Sequence, residues 1–219
     1  MAIAKNGVLL SQPAFLYSMQ DINPVDCFLR TLTLLSQDWE MRIPIESLMK
    51  YFAKMPELFQ LHSFRVALYM MQMAEATAAA PADLCFLAGF CHDLGKSEID
   101  NRVLNKPSAL SPDEWAQISQ HPRLGGQILS KLLPISDVIS CAKYHHEKMD
   151  GTGYPYRLKD PEIPLMVRIC SIADAFDAMT AARPYGCPKT KLEAISELKK
   201  GSGTQFDPEL VDVFSELIA

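Results

Sequence analysis

No run of apolar residues in this chain approaches the roughly twenty needed to cross a bilayer. The opening Met1-Ala2-Ile3-Ala4-Lys5-Asn6 also lacks the basic start and long apolar stretch of a secretory leader. A soluble, cytoplasmic protein with no membrane partner is the expectation. Lysine and arginine form no cluster or stripe, and the net charge is −5 with a pI near 5.5, so a nucleic-acid polymer is not an expected partner. An anionic ligand would need local positive charge. Cys27, Cys85, Cys91, Cys141, Cys170 and Cys187 include no CxxC pair, and a chain of this length needs no disulfide staples, so reduced thiols are expected. Strand signals are almost absent, and there is no internal repeat or low-complexity segment.

What remains is helical. The 219 residues, 48% hydrophobic, suffice for one core with at most a small extension. Apolar residues recur at helical spacing, as in Phe28, Leu29, Leu32 and Leu35 or Phe64, Ala67, Leu68 and Met71. Ser111-Pro112-Asp113-Glu114 reads as a capping box with proline at the first helical position, and Asp207-Pro208-Glu209 opens the last helix in the same way. Pro24, Pro44, Pro81, Pro134 and Pro164 mark further boundaries. The pattern predicts an all-α protein of roughly eight or nine helices, with residues 1–55 as a short helical N-terminal extension and residues 56–219 as the main domain. Met70, Met71 and Met73 read as core filling. The stretch Asp150–Pro164, rich in glycine and proline, is the one long loop and a candidate functional one.

All five histidines, His62, His92, His121, His145 and His146, fall within one part of the chain, three of them in the runs His92-Asp93 and His145-His146-Glu147. Imidazole with carboxylate suits Fe, Mn, Zn or Ni better than Ca or Mg, so the distribution reads as a metal site. His62 lies inside a helical segment, His92-Asp93 ends the next, His121-Pro122 breaks a third, His145-His146 closes a fourth, and Asp174 sits within a fifth. The ligands would converge from helix ends and interiors, and Asp93 could bridge two ions. Around Asp174, the residues Ile172, Ala173 and Phe176 suggest a buried face, where an unpaired charge would be costly. Cys91, Cys141 and Cys170 lie near these residues in sequence and read as small apolar packing groups.

The motifs His92-Asp93-Leu94-Gly95-Lys96, His121-Pro122 and His145-His146-Glu147-Lys148-Met149-Asp150-Gly151-Thr152-Gly153-Tyr154-Pro155 resemble the HD-GYP subgroup of the HD phosphohydrolase superfamily. The resemblance runs from about Leu58 to Phe214 and takes in Leu104-Asn105-Lys106-Pro107, Asp174-Ala175-Phe176-Asp177-Ala178-Met179 and Arg183-Pro184-Tyr185. It implies a compact helical domain of about five core helices plus flanking helices around a buried multinuclear metal site, usually iron or manganese. It also implies hydrolysis of cyclic di-GMP. Matched position by position, His62, His92, Asp93, His121, His145, His146 and Asp174 would be metal ligands. Asp93 and Lys96 would be the catalytic pair, with Lys96 holding a phosphate oxygen, Arg183 contacting phosphate or guanine, and the loop at Tyr154 flanking the substrate groove. Such a site is locally positive despite the acidic chain, and a hydroxide between two ions, its water pKa lowered toward ~7, could attack phosphorus in line.

Two positions depart from the family pattern. Some members carry a glutamate four residues before the first histidine and use it for a third metal, whereas here that position is Leu58. Glu57 is one residue away, and a step of about 100° around a helix points it elsewhere. Two divalent ions per chain are therefore expected, Fe or Mn first and Zn or Ni as substitutes. Gly186 stands where a basic residue is frequent after Arg183-Pro184-Tyr185, removing one phosphate contact. The resemblance allows cleavage to pGpG or onward to GMP, signalling partner proteins at the Gly-Tyr-Pro loop, and a homodimer. It leaves two alternatives open: a catalytically inactive cyclic dinucleotide receptor or interaction module, and a phosphohydrolase for another cyclic dinucleotide or a nucleotide monoester.

Overall fold

Proline sets three of the helix starts. Pro56, Pro81 and Pro164 occupy N-cap positions with extended backbone before helices that begin one residue later. The computed structural model describes residues 45–78, 80–181 and 187–218, and among them there are ten α-helices and one 3₁₀ helix. In order these are α1 (Ile45–Phe52), α2 (Glu57–Thr77), α3 (Ala82–Cys91), the 3₁₀ helix (Leu94–Glu98), α4 (Asn101–Leu104) and α5 (Pro112–Ile118). They are followed by α6 (His121–Leu132), α7 (Ser136–Tyr144), α8 (Leu165–Thr180), α9 (Lys191–Lys200) and α10 (Pro208–Ile218). The described residues form no strand, only an isolated bridge between Ser202 and Phe206. The all-α expectation is met. The helix number exceeds the eight or nine expected because short turns such as α4, only four residues long, leave little periodic signal.

The expected capping box is present: the Ser111 hydroxyl accepts from Glu114 N–H and the Glu114 carboxylate accepts from Ser111 N–H. Asp207 opens α10 by accepting from the Glu209 backbone N–H at 3.0 Å. One expectation is corrected. His121-Pro122 does not break a helix but begins α6, because a first-turn proline lacks only an N–H that would have no helical partner there. The segment at Phe28–Leu35, together with Pro24, Pro44 and Cys27, lies outside the described residues.

The core forms where α2 packs along α3 and α8, α3 along α7, and α6 along both α7 and the 3₁₀ helix. Met70 and Met73 are fully buried in it, as expected of gap-filling side chains. Tyr69, Phe176 and Phe214 meet edge to face with centroids 5.1–5.8 Å apart, joining α2, α8 and α10. On the other side Phe52 stacks on Phe90 at 4.2 Å, and Leu48, Phe52 and Met55 are buried in the same core. No helix among the described residues is long and apolar enough to cross a membrane.

Gly95 sets how closely the 3₁₀ helix approaches α6. A β-carbon there would lie 1.9 Å from the His121 carbonyl oxygen and 2.5 Å from the Gly125 nitrogen. Only glycine lets the turn that follows His92-Asp93 sit against the helix that begins with His121.

Candidate metal centre

Four of the five histidines are oriented through one ring nitrogen. His92 Nδ1 donates to the Gly89 carbonyl at 2.6 Å, His121 Nδ1 to Ile118 at 2.7 Å and His145 Nδ1 to Cys141 at 2.9 Å. A carbonyl only accepts, so these Nδ1 atoms carry the proton, and a neutral ring turns its Nε2 lone pair inward. His62 is oriented by a carboxylate instead, donating from Nδ1 to Asp177 Oδ2 at 2.6 Å.

Asp93 stands between two pairs of imidazoles. Its Oδ2 lies 3.4 Å from His92 Nε2 and 3.7 Å from His62 Nε2, while its Oδ1 lies 3.2 Å from His121 Nε2 and 3.7 Å from His145 Nε2. Asp174 joins the first pair through Oδ1, 3.0 Å from His62 Nε2, and turns Oδ2 toward His146 Nδ1 at 4.0 Å. Three sets of side chains present donor atoms close enough for one cation: His62, His92 and Asp93; His92, His145 and Asp174; and His121, His145 and His146. All seven residues expected as ligands are thus brought into one cluster.

The donors fit a metal better than they fit one another. His92 Nε2 and Asp93 Oδ1 are buried without a hydrogen-bond partner, which costs free energy unless something else satisfies them. His121 Nε2 and His145 Nε2 face each other at 3.2 Å, two lone pairs that a cation would reconcile. Burial lowers the pKa of His121, His145 and, to about 3, His146. Rings kept neutral keep a lone pair for a cation. For Asp93 and Asp174 burial acts in the opposite sense, yet both stay ionised: Lys96 and His92 hold Asp93 down, and His62 holds Asp174 down. At His62 burial again opposes charge, but Asp174 and Asp177 outweigh it and raise the pKa to about 9.

Lys96 is not a solvated lysine. Its Nζ lies 2.5 Å from Asp93 Oδ2 and 4.7 Å from the centre of the Phe59 ring, so it sits at the edge of the cluster. Tyr154 packs with its ring 4.7 Å from His146 at an interplanar angle of 21°, beside the same cluster. Arg183 lies outside the described residues, as do Pro184, Tyr185 and Gly186. Leu58 borders a cavity of about 530 Å³ with Leu61, Arg65 and Asp177, while Glu57 is exposed at the start of α2 and belongs to no donor set.

The HD domain family matches residues 46–210. The chain belongs to the HD-domain family. The HD-GYP resemblance drawn from the motifs agrees with this, and relatives of the domain carry cyclic dinucleotide phosphodiesterase names. It is 41% identical over 150 residues to 3'3'-cGAMP-specific phosphodiesterase 3 of Vibrio cholerae, covering 68% of this chain and 33% of the relative. It is 44% identical over 128 residues to the cyclic di-GMP phosphodiesterase of Thermotoga maritima, covering 58% of this chain and 35% of that one. The chain therefore spans about a third of the length of these curated relatives. Among solved structures, Bd1817, an HDG"Y"P protein from Bdellovibrio bacteriovorus, aligns with a TM-score of 0.60 at 20% identity over 73% of this chain and 52% of that one. At that identity the likeness is one of fold.

Asp177 and Arg65 support the cluster, and Glu147 the loop beside it, in roles the sequence did not assign to them. Asp177 is buried and accepts from Arg65 Nε at 2.5 Å as well as from His62, so it ties two helices together behind the cluster. The signal was its place three residues after Asp174, one turn along the same apolar helix. Glu147, despite following two histidines, turns away and accepts the backbone N–H groups of Tyr156 at 2.7 Å and Leu158 at 3.0 Å. It shapes the loop that carries Tyr154. The cysteines keep the apolar role expected of them: Cys85, Cys91, Cys141 and Cys170 are free and buried.

Proposed function

We propose that this HD domain is a metal-dependent phosphodiesterase acting on a cyclic dinucleotide, cyclic di-GMP first. The observation that carries the proposal is Asp93, whose two oxygens face two different pairs of inward-turned imidazoles. His62, His92, Asp93 and Asp174 would hold one divalent ion, and His121, His145 and His146, with the other oxygen of Asp93, a second. Iron or manganese suits this donor set, as do zinc and nickel. Such ions supply a nucleophile from water near neutral pH and offset charge on a phosphodiester.

The chain's own contribution is placement. Asp93 would be held in its bridging orientation by Lys96, whose ammonium is then available to a phosphate oxygen at the cluster's edge. Arg183 would add a second positive contact to phosphate or guanine. Tyr154, fixed against His146, would wall the groove on one side. With no third carboxylate at Leu58, the site would be binuclear. Work in the cytoplasm, signalling partners at the Gly-Tyr-Pro loop, a homodimer, and a regulatory or capping role for residues 1–55 belong to the same proposal.

A second substrate reading has its own support. The Vibrio cholerae relative named for 3'3'-cGAMP aligns over more of this chain than the Thermotoga maritima relative does. Both substrates share the phosphodiester ring and at least one guanine. The test is product analysis of protein loaded anaerobically with Fe or Mn, given cyclic di-GMP and 3'3'-cGAMP in parallel, beside His92→Ala and Asp93→Ala. Linear dinucleotide or mononucleotide from the unmodified protein alone is the expected result, and the faster substrate identifies the reading. Ligand binding with two metals bound but no product from either would overturn the enzyme in favour of a receptor.

A further inference from the structure

Helix α5 contains no buried residue and is seven residues long, yet it touches the metal cluster at one point and the aromatic ring beside it at another. Its last residue, Ile118, supplies the carbonyl that orients His121. One turn earlier, Trp115 meets Tyr154 edge to face at 5.8 Å, and Tyr154 in turn stacks on His146. Trp115 remains 51% exposed, which is more than anchoring the helix requires: a tryptophan used only as a fastener would bury its indole. The exposed indole therefore stands two ring contacts from a proposed ligand of the metal centre, on the flank where Tyr154 of the glycine-rich loop packs.

A cyclic dinucleotide brings two purines, one on either side of its phosphodiester ring. With phosphorus at the cluster, at least one base must leave the centre and find a surface. The geometry points to Trp115 as a stacking platform for a purine of the substrate. Aromatic stacking uses the face of a base rather than its hydrogen-bonding edge, so the contact would favour purines over pyrimidines without distinguishing guanine from adenine. The edge-to-face contact with Tyr154 holds the indole in place before substrate arrives, which limits the ordering cost of binding. The capping box at Ser111 and Glu114 and the ion pair of Glu114 with Lys106 at 2.5 Å steady the helix that carries it.

This inference rests on the proposed cyclic dinucleotide substrate, and its test separates the two. Full-length, metal-loaded Trp115→Ala and Trp115→Phe are compared with the unmodified protein for KM, kcat and bound metal, with cyclic di-GMP and 3'3'-cGAMP as substrates. Stacking predicts a KM about tenfold higher for Ala, with kcat and metal content unchanged, and substantial recovery with Phe. An unchanged KM for Ala, where the unmodified protein turns over either substrate, overturns the platform and leaves the phosphodiesterase standing. Loss of kcat or of metal at constant KM also overturns it, since Trp115 would then act through Tyr154 and His146 alone. An unmodified protein that neither binds nor cleaves either dinucleotide overturns the function itself, and the platform with it.

Discussion

Asp177 Oδ2 accepts a hydrogen bond from His62 Nδ1 at 2.6 Å while its other oxygen is held by Arg65 at 2.5 Å. One buried carboxylate thus aims an imidazole from α2 at the centre of the protein, with α8 as the fixed frame. A partner of this kind orients the ring and raises its basicity toward a cation. Asp177→Asn is expected to weaken metal binding by roughly 10–100-fold, read by titration against a competing chelator. Unchanged affinity would leave Asp177 only a structural tie to Arg65.

The contact of Gly95 with the start of α6 predicts a sharper structural effect. Gly95→Ala places a methyl group against the His121 carbonyl and the Gly125 nitrogen, both backbone atoms that no rotamer change can move. Overpacking of this kind costs about 1–3 kcal/mol or more. Thermal denaturation should show a lower Tm, and metal titration a weaker site, because the same shift separates Asp93 from His121. A normal Tm would mean that the 3₁₀ helix and α6 can part without cost.

Glu147→Gln tests the loop. The carboxylate accepts from Tyr156 and Leu158 through separate oxygens, and an amide offers one acceptor where there were two. Leaving a part-buried donor without a partner costs up to about 1 kcal/mol, less than the penalty for a fully buried one. Limited proteolysis should then cut between Gly151 and Leu158 faster than in the unmodified protein, with helix content retained by circular dichroism. Equal cleavage rates would remove Glu147 from the account of the loop.

Chelation should lower stability without unfolding the chain. The aromatic packing of Tyr69, Phe176 and Phe214 and the buried methionines do not depend on the cluster, whereas His92 Nε2 and Asp93 Oδ1 would lose whatever satisfies them. A ligand at 1,000 times its Kd stabilises by about 4 kcal/mol. Calorimetry with and without added manganese should therefore show a higher Tm with metal, and an identical Tm would count against the cluster as a metal site.

Thiol labelling checks the inner cysteines. Burial pushes Cys85 up to about 12 and raises Cys91, while the hydrogen bond that the Cys170 thiol donates to Cys141, together with burial, raises Cys170. The thiolate is the reactive form. Iodoacetamide at pH 8 should modify the exposed Cys187 and spare Cys85, Cys91 and Cys170 until denaturant is added, as read by peptide mass spectrometry.

Much of the centre was legible from residue types alone. Five histidines confined to one region, three of them beside aspartate or each other, carry a chemistry that ordinary packing does not explain, and all seven expected ligands do converge. Asp174 was recognisable because its neighbours are apolar, and the same reasoning extends to Asp177 one turn later. The role of Glu147 was not legible: adjacency to His145 and His146 suggests a shared task, yet the chain turns after α7 and points the carboxylate into the loop. His121-Pro122 misled for a related reason, since proline marks a helix boundary without saying on which side the helix lies.

By itself the sequence determined the helical class, the inventory of donors and the caps that start α5 and α10, because periodicity and capping are local and act within a turn or two of chain. Only the tertiary structure decided which oxygen of Asp93 faces which pair of imidazoles, that Arg65 and Asp177 stand behind His62, and that Trp115 is left exposed beside Tyr154. Those relations join residues from separate helices. They depend on how closely backbones such as Gly95 and His121 approach, which is settled by packing the whole core at once.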